Sequence, residues 1–399
     1  MKTTLKKAGF FLITWLLISI NVYGQCIVSL VSDSTDTYRV SPQVSGNTIV
    51  WYQRDGTNGS AGNIYKSIND GPPILVSTGS TTYNNNPQIF GNTIVWLGSD
   101  GTIQRVYKSV DGGSPTLVSI GSTAYAYSPK ISGNTIAWVA NHNIYKSVDG
   151  GPSILVSRGN STDDRDHQIS GNTIVWTGFD GRNRNIYKSV NGGPQIQVST
   201  TTRRNHIPQI SGNTIVWSGH DGVDFNIYKS VDGRAPILVS TNNSTLDGGV
   251  QILDNTIIWA GSEEGTAHIY KSENGGSPTK IPTSTTSGIS GPYISGNIIM
   301  WSAFDDAMIR QIYKSVDGGP QILVSAGTSV ENYAAQIADN TIVWYAFNGG
   351  LDFKIYKSTL VHPAVFDPIP TMSQWGLLIF GLLLMNLGIL FIQKIQPYI

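Results

Sequence analysis

The stretch HIPQISGNTIVWSGHDGVDFNIYKSVDGRAPILVS, residues 206–240, contains the pattern that decides the fold. Four short runs rich in Ile, Val, Trp and Tyr (HIPQIS, TIVWSG, NIYKSV and PILVS) are separated by a GN turn, a loop and a DG turn. Runs of this composition bounded by Gly, Asn and Asp predict β-strands, and the two-residue turns predict hairpins. The stretch is therefore expected to form four antiparallel strands without a helix.

This unit occurs eight times along the chain. Each copy has a Trp at the end of a strand such as NTIVW and a Tyr that begins a Tyr-Lys-Ser triplet. The tryptophans are Trp51, Trp96, Trp138, Trp176, Trp217, Trp259, Trp301 and Trp344, and the tyrosines are Tyr65, Tyr107, Tyr145, Tyr187, Tyr228, Tyr270, Tyr313 and Tyr356. Consecutive copies are 38 to 45 residues apart, a period that indicates a repeat architecture.

The apolar positions of the unit indicate how the copies pack. Runs such as TIVW and ILV are apolar at successive positions, which is typical of a sheet that is covered on both faces. Four-stranded sheets that cover one another in this way are the blades of a β-propeller. An open stack of β units is disfavoured because neither terminal unit looks capped. We therefore expect an all-β, eight-bladed β-propeller of four-stranded antiparallel blades over residues 25–360.

The last copy lacks a fourth strand, because the chain leaves the repeat after FKIYKSTL at residues 353–360. An additional run, IVSLVS at residues 27–32, precedes the first copy and resembles the fourth-strand text PILVS. With this run, eight fourth strands match eight sets of strands one to three. The N-terminal strand 27–32 is therefore predicted to join the last blade and close the ring, which removes an exposed sheet edge.

Composition limits the function classes. The 26 basic and 26 acidic residues give a formal net charge of zero, so there is no electrostatic reason to expect nucleic acid as a partner. The single cysteine, Cys26, excludes a disulfide framework and a thiolate metal cluster. No nucleophile elbow, phosphate loop or metal motif is present, so no catalytic residue, metal site or cofactor is predicted.

Both ends of the chain have the composition of targeting segments. Lysines precede the apolar run AGFFLITWLLISI, which predicts a signal peptide over residues 1–24; a retained membrane anchor and a lipid-modified Cys26 are the alternatives. The 18 uncharged residues from Trp375 to Ile392 are long enough to span a bilayer, whereas a buried core helix is disfavoured. The predicted organisation is a signal peptide, a propeller over 25–360, a linker over 361–374, and a transmembrane helix with a short tail over 375–399.

The repeat text SGNTIVW…NIYKSVDGG resembles the TolB-type propeller repeats of exported bacterial proteins. Its SVDGG turn, as at Ser109, Asp111 and Gly113, is also similar to the Ser-x-Asp-x-Gly core of the Asp-box of sialidase-like propellers, although the Thr-Trp that completes an Asp-box is absent. The resemblance covers the repeat region. It implies the fold and says little about function, because propellers carry enzymes, lectins and scaffolds alike.

The stretch DPIPTMSQWGLLIFG is similar to the IPTL-CTERM sorting signal of Gram-negative bacteria. The matching residues are Ile369, Pro370, Thr371, Trp375 and Gly376, with Met372 in place of the usual Leu. The resemblance implies recognition by an exosortase-like membrane protease. It also implies transient residence in the inner membrane and delivery to the cell surface or the extracellular space.

Candidate binding residues follow from the variation among the copies. The turns between strands one and two and between strands three and four hardly change, whereas the other two loop classes differ in every copy. In an up-and-down blade the two variable loop classes lie on one face, where recognition is expected. Charge gathers there in copies four and five, at Asp163, Asp164, Asp166, His167, Arg182, Arg184, Arg203, Arg204, His206, His220, Asp221 and Asp224.

A metal-binding role for the charged residues and a ligand-binding role for the repeated Trp, Tyr and Lys are less favoured. None of the charged stretches has the Asp-x-Asp-x-Asp-Gly spacing of a calcium loop, so solvated loop charge is favoured over a divalent-metal site. The repeated Trp and Tyr are expected in blade packing rather than in sugar-binding pockets. The lysines of the Tyr-Lys-Ser triplets are expected to keep their ammonium groups in water.

The sequence thus favours an exported, cell-surface propeller that acts as a monomeric, non-catalytic binding module for an envelope or extracellular protein or glycan. A propeller hydrolase or lyase acting on extracellular polysaccharide, and a structural surface-coat protein, are the alternatives. The sialidase-like interpretation is disfavoured because it needs an arginine triad and a Tyr-Glu nucleophile pair, whereas the arginines are scattered and the glutamates are very few.

Overall fold

Strands account for all the regular structure in the part of the chain that the computed structural model describes. The described residues are 26–32, 38–55, 61–79, 81–121, 125–159, 161–200, 204–241, 245–284, 287–328, 331–347 and 352–360. One compact unit spans Ile27–Thr359; of the other, Met1–Cys26 with Leu360–Ile399, only Cys26 and Leu360 are described. The predicted signal peptide, linker and transmembrane helix lie outside these ranges. Within the ranges, no helix is long and apolar enough to cross a membrane.

The described strands group into eight four-stranded units, here called blades. The chain begins with β1 (Cys26–Leu30). Blade 1 consists of β2 (Arg39–Ser45), β3 (Thr48–Asp55), β4 (Ala61–Ile68) and β5 (Ile74–Leu75). Blade 2 consists of β6 (Tyr83–Phe90), β7 (Thr93–Ser99), β8 (Gln104–Val110) and β9 (Thr116–Leu117). Blade 3 consists of β10 (Ala126–Ser132), β11 (Thr135–Ala140), β12 (Asn143–Val148) and β13 (Ile154–Leu155), and blade 4 consists of β14 (Thr162–Ser170), β15 (Thr173–Phe179), β16 (Arg184–Val190) and β17 (Ile196–Gln197).

Blades 5 to 8 follow in the same order. Blade 5 consists of β18 (Arg204–Ser211), β19 (Thr214–His220), β20 (Phe225–Val231) and β21 (Ile237–Leu238). Blade 6 consists of β22 (Thr245–Leu253), β23 (Thr256–Glu263), β24 (Thr266–Glu273) and β25 (Thr279–Lys280). Blade 7 consists of β26 (Ser290–Ser295), β27 (Ile298–Phe304), β28 (Arg310–Val316) and β29 (Ile322–Leu323), and blade 8 consists of β30 (Glu331–Ala338), β31 (Thr341–Phe347) and β32 (Phe353–Leu360) together with β1.

Neighbouring strands within each blade are antiparallel, and the fourth strand of blades 1 to 7 is only two residues long. Two pairs of blades are also joined by a single parallel bridge. Gly62 pairs with Tyr83 between blades 1 and 2, and Arg184 pairs with Arg204 between blades 4 and 5. The predicted all-β class and the four-stranded antiparallel sheets are confirmed.

The hairpin turns explain why Gly, Asn and Asp recur at fixed positions. The turn between the third and fourth strands needs two successive residues with positive φ, as at Asp111 (52°) and Gly112 (77°). Asn and Asp tolerate this conformation better than other residues with a side chain, and Gly adopts it freely. Asn191, which replaces the Asp in blade 4, has a φ of 54° and keeps the turn.

The first strands of the eight blades contact one another in a cycle. The order of contacts is β2, β6, β10, β14, β18, β22, β26 and β30, and β30 contacts β2 again. First strands that meet in a cycle are the innermost strands of a ring of blades, so each blade packs between two others.

The N-terminal strand completes blade 8, as predicted. The sheet order is β1-β32-β31-β30, and the Val31 N–H donates to the Ile355 carbonyl at 2.8 Å. The Ile355 N–H donates to the Ser32 hydroxyl at 3.1 Å. The same two bonds join Ile64 to Val76 and Ser77 in blade 1, so β1 takes the place of a fourth strand. The sheet edge of β32 is therefore paired by a strand from the other end of the chain.

The repeated aromatic residues form the core between blades, as expected. The eight tryptophans of the repeat are at most 1% exposed. Each stacks on the Tyr directly opposite on the third strand, with ring centroids 5.6 to 6.3 Å apart. Trp138 of blade 3 also packs against Val95 and Val106 of blade 2. Burial of one such ring contributes roughly 4 kcal/mol of transfer free energy, so the eight rings hold the blades together.

The expectation that the triplet lysines keep their ammonium groups in water is wrong for three of the eight. Lys66, Lys146 and Lys314 are only 8%, 6% and 1% exposed. They are buried because the side chains extend along the seam to the next blade. The Lys66 Nζ atom, for example, lies so close to Gly112 of blade 2 that a Cβ atom on that glycine would be only 2.9 Å from it. At the ring closure, the Lys357 ammonium forms an ion pair with Asp70 of blade 1. The lysines therefore connect neighbouring blades.

Candidate functional site

A cleft of about 470 Å³ lies between blades 4 and 5. We call it the blade 4–5 cleft and define it by its lining residues: Arg165, Asp166, Phe179, Arg182, Arg184, Arg204, His206, Ile207 and Phe225. Five of the predicted candidates, Asp166, Arg182, Arg184, Arg204 and His206, are among them. The volume is within the range of small-ligand pockets, which is about 300–1,000 Å³.

The strand ends of two blades bring these residues together. The parallel bridge between Arg184 and Arg204 sets the start of β16 beside the start of β18. The Asn205 side-chain amide donates to the Arg184 carbonyl at 2.9 Å, and its Oδ1 accepts from the Trp217 indole at 3.0 Å. Because backbone and side-chain bonds both cross the seam, the cleft is built on fixed strands rather than on free loops.

The cleft carries more positive than negative charge. Arg184 donates to the Asp163 carboxylate at 2.5 Å, and this bond is the main cause of the lowered pKa of Asp163. Arg165 lies 3.8 Å from both Asp163 and Asp166. The exposed guanidinium groups of Arg182 and Arg204 have no acidic partner among the described residues. Two cationic groups are therefore free to meet a ligand.

Aromatic and apolar side chains form the rest of the lining. Phe225 lies between two histidines, with its ring centroid 4.9 Å from both His206 and His220. Burial lowers the pKa of His206, so its ring is neutral at pH 7. The Arg184 guanidinium lies 5.8 Å from the centre of the Phe179 ring. A ligand in the cleft would thus meet apolar surface and cationic groups together.

Three predicted residues outside the cleft organise a turn. The Asp221 Oδ1 atom accepts the N–H groups of Val223 and Asp224 at 2.8 and 3.0 Å. These bonds lower the pKa of Asp221 and keep it ionised. His220 accepts from the Gly222 N–H at 3.1 Å through Nδ1. In this structure Asp221, His220 and Asp224 shape the strand 2–3 loop of blade 5.

Two other predicted residues lie in the interior rather than on the variable face. The Asp164 and His167 side chains are 0% and 1% exposed. Both belong to β14, where a β-bulge between Arg165 and Gln168 changes which side chains face inward. Arg203 and the sorting-motif residues Ile369, Pro370, Thr371, Trp375 and Gly376 lie outside the described residues.

Asp164 occupies a position that Asn takes in three other blades. Asn84, Asn205 and Asn332 each accept a hydrogen bond from the tryptophan indole twelve residues on, at 2.8 to 3.0 Å. In blade 4 the corresponding bond is missing. Among the described residues, neither carboxyl oxygen of Asp164 has a hydrogen bond of standard geometry, and the Trp176 indole N–H has none either. Burial raises the pKa of Asp164, so ionisation of this carboxyl opposes folding.

We expect Asp164→Asn to stabilise the protein at pH 7 by about 1–3 kcal/mol, because it removes a buried carboxyl and supplies the amide found in three other blades. A raised folded-state pKa means that the penalty appears as pH rises, so the gain should vanish below the ordinary Asp pKa. Urea unfolding at pH 3.5 and 7 measures this. Asp232→Asn is the matched control, since Asn191 occupies that turn position in blade 4. An equal gain at both pH values would contradict the explanation.

Four lining residues were not among the predicted candidates: Arg165, Phe179, Ile207 and Phe225. The last three are apolar and lie on strands, so the search for charged loop residues did not select them. Their positions were the available indication. Phe179 ends β15 and Phe225 begins β20, so each lies next to a charged loop, the first containing Asp180 and the second containing Asp221.

Arrangements for catalysis or metal binding were also sought. Among the described residues, no histidine ring is hydrogen-bonded to a serine hydroxyl, and no group of three or more His, Cys, Asp or Glu side chains could hold a metal ion. The chemistry that the cleft offers is recognition by guanidinium and aromatic groups.

No protein-family model matches the chain, and no curated protein matches it in sequence. Solved structures do match, and they define the fold as a β-propeller. The β-propeller domain of the Trilobed protease from Pyrococcus furiosus has a TM-score of 0.51 at 12% identity, over 74% of this chain and all of that chain. Dipeptidyl peptidase 4 from Porphyromonas gingivalis has a TM-score of 0.56 at 14% identity, over 77% of this chain and 56% of that chain.

A putative TolB from Agrobacterium tumefaciens is also similar, with a TM-score of 0.40 at 17% identity over 62% of this chain and 95% of that chain. The structural neighbours thus include a TolB-like propeller together with other propeller domains. The chain spans only a little over half the length of the full peptidases that it matches.

These comparisons correct the function predicted from the sequence. The similar structures are mainly peptidases, and they include prolyl endopeptidases and an acylaminoacyl peptidase besides dipeptidyl peptidase 4. The interpretation as a non-catalytic module for an envelope or extracellular protein or glycan is therefore wrong. The match is confined to the propeller part of these enzymes, so it defines a fold rather than an activity.

Proposed function

We propose that this chain is a closed, eight-bladed, peptidase-related propeller that recognises peptides at the blade 4–5 cleft and so selects substrates for peptide hydrolysis. The observation that carries the proposal is the cleft itself, which is lined by Arg182, Arg204, Phe179 and Phe225. The guanidinium groups of the two arginines have no acidic partner among the residues that the structure describes. A cleft with apolar walls and a few charged groups suits a short peptide segment.

The wider context supports a peptide as the ligand. Similar propellers belong to enzymes that act on peptides, and at 10–14% identity they supply an analogy of fold. The net charge of zero gives the ring no general attraction for polyanions, so recognition depends on the local charge of the cleft.

The test is to screen the purified full chain against peptide and glycan arrays, and to follow each bound peptide by mass spectrometry for cleavage. We expect a subset of peptides to bind, and the double variant Arg182→Ala with Arg204→Ala to lose them. Arg234→Ala, which removes an exposed arginine from the strand 3–4 turn of blade 5, is the matched control and should bind like the parent. Binding to glycans with no peptide bound would contradict the proposal.

We also propose that the protein is exported, tethered by a C-terminal helix, and released to the cell surface by an exosortase-like protease. The motif at Ile369, Pro370 and Thr371 and the apolar run from Trp375 support this. Replacing Pro370 and Thr371 by Ala should leave the protein in the inner membrane with its tail attached. Release at the normal rate, measured by fractionation and intact mass, would argue against the sorting signal.

A further inference from the structure

We propose that the peptide element recognised by the blade 4–5 cleft is a carboxylate next to an apolar side chain. Arg182 and Arg204 bind the carboxylate, and Ile207 contacts the apolar side chain. This inference rests on the proposed peptide recognition and specifies its ligand. The carboxylate comes either from a C-terminus or from an Asp or Glu side chain, and these sources share one chemistry.

The first argument is charge. Four arginines and one aspartate line the cleft of a protein whose formal net charge is zero. Arg165 and Arg184 are already engaged by Asp163 and Asp166, whereas Arg182 and Arg204 have no acidic partner in the described ranges. Guanidinium groups bind carboxylates through paired, charge-assisted hydrogen bonds, and aromatic walls strengthen those bonds by excluding water. An anionic group is therefore the complement that the cleft lacks.

The second argument is the backbone at Ile207. Every blade has a β-bulge at the same point of its first strand, with a residue at positive φ there, and β14 and β22 have a second bulge nearer the strand start. These residues are Ser41, Asn86, Ser128, Asp166, Ile207, Gly249, Gly291 and Ala334, with φ between 45° and 61°. Seven of them are small or polar.

Ile207 alone among these eight is β-branched, and its φ is 52°. A β-branched residue is strongly disfavoured in this region, so Ile207 is strained. Its side chain is also 42% exposed in the cleft, so it gains little from burial to offset that strain. A strained, exposed apolar side chain at the wall of a charged cleft points to contact with an apolar part of the ligand.

The third argument is that the three groups are held by the same strand and its neighbour. Arg204 and Ile207 lie on β18, and Arg182 lies in the loop that leads into β16. The Arg182 and Asn183 N–H groups donate to the Asp180 Oδ1 atom at 2.8 and 2.7 Å, which fixes that loop. Ordered loops and paired strands reduce the entropy lost on binding.

The experiment measures the affinity of the full chain for four peptides by fluorescence polarisation. One peptide ends in Leu with a free carboxylate, one is its C-terminal amide, one is amidated with an internal Leu-Glu pair, and one replaces that Glu by Gln. We expect at least one carboxylate peptide to bind roughly tenfold more tightly than its neutral counterpart. The pair of peptides that shows the difference identifies the source of the carboxylate, either a C-terminus or an acidic side chain.

Variants assign the contacts. Arg204→Ala and Arg182→Ala should each weaken the favoured carboxylate peptide about tenfold and leave its neutral counterpart unchanged, and Arg234→Ala should change neither. Ile207→Asn should raise the melting temperature by a few degrees, because Asn tolerates positive φ, while weakening the Leu peptide more than a Ser analogue. This opposite effect on stability and affinity is not expected of a merely structural residue.

Two outcomes would overturn the inference. Equal binding of carboxylate and neutral peptides would remove the carboxylate from the ligand while leaving peptide recognition intact. Unchanged affinity of Ile207→Asn for the Leu peptide would remove the apolar contact. Failure of every peptide to bind would instead contradict the proposed function itself.

Discussion

Deletion of residues 27–32 is expected to lower the free energy of unfolding by about 5 kcal/mol. The strand supplies the backbone bond from Val31 to the Ile355 carbonyl and the Ser32 hydroxyl that accepts from the Ile355 N–H. Val31 also packs against the core formed by Trp51, Val343 and Ile355. A buried side chain contributes about 1.5–3 kcal/mol and each bond about 1 kcal/mol, with a further cost for the groups left unpaired.

Urea denaturation of the full chain and the deletion variant measures this difference. Ile27→Thr with Leu30→Thr is the matched control: both side chains are exposed, so these replacements keep the backbone pairing and should change stability little. An unaltered transition midpoint for the deletion variant would show that β1 is not needed to close the ring.

Acidification should destabilise the protein through His167, and His167→Val should remove that effect. The His167 ring is 1% exposed, and neither nitrogen has a hydrogen bond of standard geometry among the described residues. Burial, together with the nearby Lys130 ammonium, lowers the pKa of His167 to about 4. The same position holds Val250 in blade 6 and Pro208 in blade 5, so an apolar residue fits the backbone there.

The direction of the pH effect follows from that pKa. Above pH 6.5 the ring is neutral in both states, and between about pH 6.5 and 4 the unfolded chain binds a proton that the folded protein does not. Stability is therefore lost as pH falls through this window, by about 3 kcal/mol in total. The Val variant should become more stable relative to the parent by this amount between pH 7 and pH 4.

Urea unfolding of both proteins at half-unit pH steps measures the difference directly. Other carboxylates titrate in the same range, but they contribute to both proteins and cancel in the comparison. If the difference in unfolding free energy between parent and variant is constant with pH, then His167 is not the titrating group.

The fold was predictable because the repeat carries several independent indications of it. Trp51 and Tyr65, and their counterparts in each blade, recur every 38 to 45 residues and lie opposite each other within the second and third strands. The Trp was predicted at the end of its strand, which is wrong, but the buried stacked pairs explain why both residues recur. The closing strand was predictable because one fourth strand was missing from the eight copies and the N-terminal run supplied it. Val31 and Ser32 of this run correspond in sequence to Val76 and Ser77 of the first copy. Repetition therefore allowed topology to be inferred from one chain.

The candidate site was predictable only as a region. Charge around copies four and five indicated the blade 4–5 cleft, but Asp164 and His167 proved to be interior residues. The β-bulges of the first strands, two of them in β14, reverse the alternation of inward and outward side chains, and no residue type marks them. Ile207, at the bulge of β18, was not among the candidates although it is exposed.

The function was predicted incorrectly because the sequence argument looked for catalytic residues within the propeller. Dipeptidyl peptidase 4 matches this chain over only 56% of its own length. Because such a match shows the fold alone, neither the missing nucleophile motif nor the scattered arginines could decide the function. The feature on which the proposed function rests is the pair of cleft arginines, Arg182 and Arg204, that have no acidic partner within the described ranges.

The most direct test of peptide recognition at the blade 4–5 cleft is photocrosslinking of the full chain to a peptide with a benzophenone beside its carboxylate. Mass spectrometry then maps the adducts. The structure predicts adducts on residues 204–207 and on Phe225, suppressed by Arg204→Ala and unaffected by Arg234→Ala. Adducts confined to the strand 1–2 and strand 3–4 turns, or a yield that Arg204→Ala does not change, would contradict the cleft as the binding site.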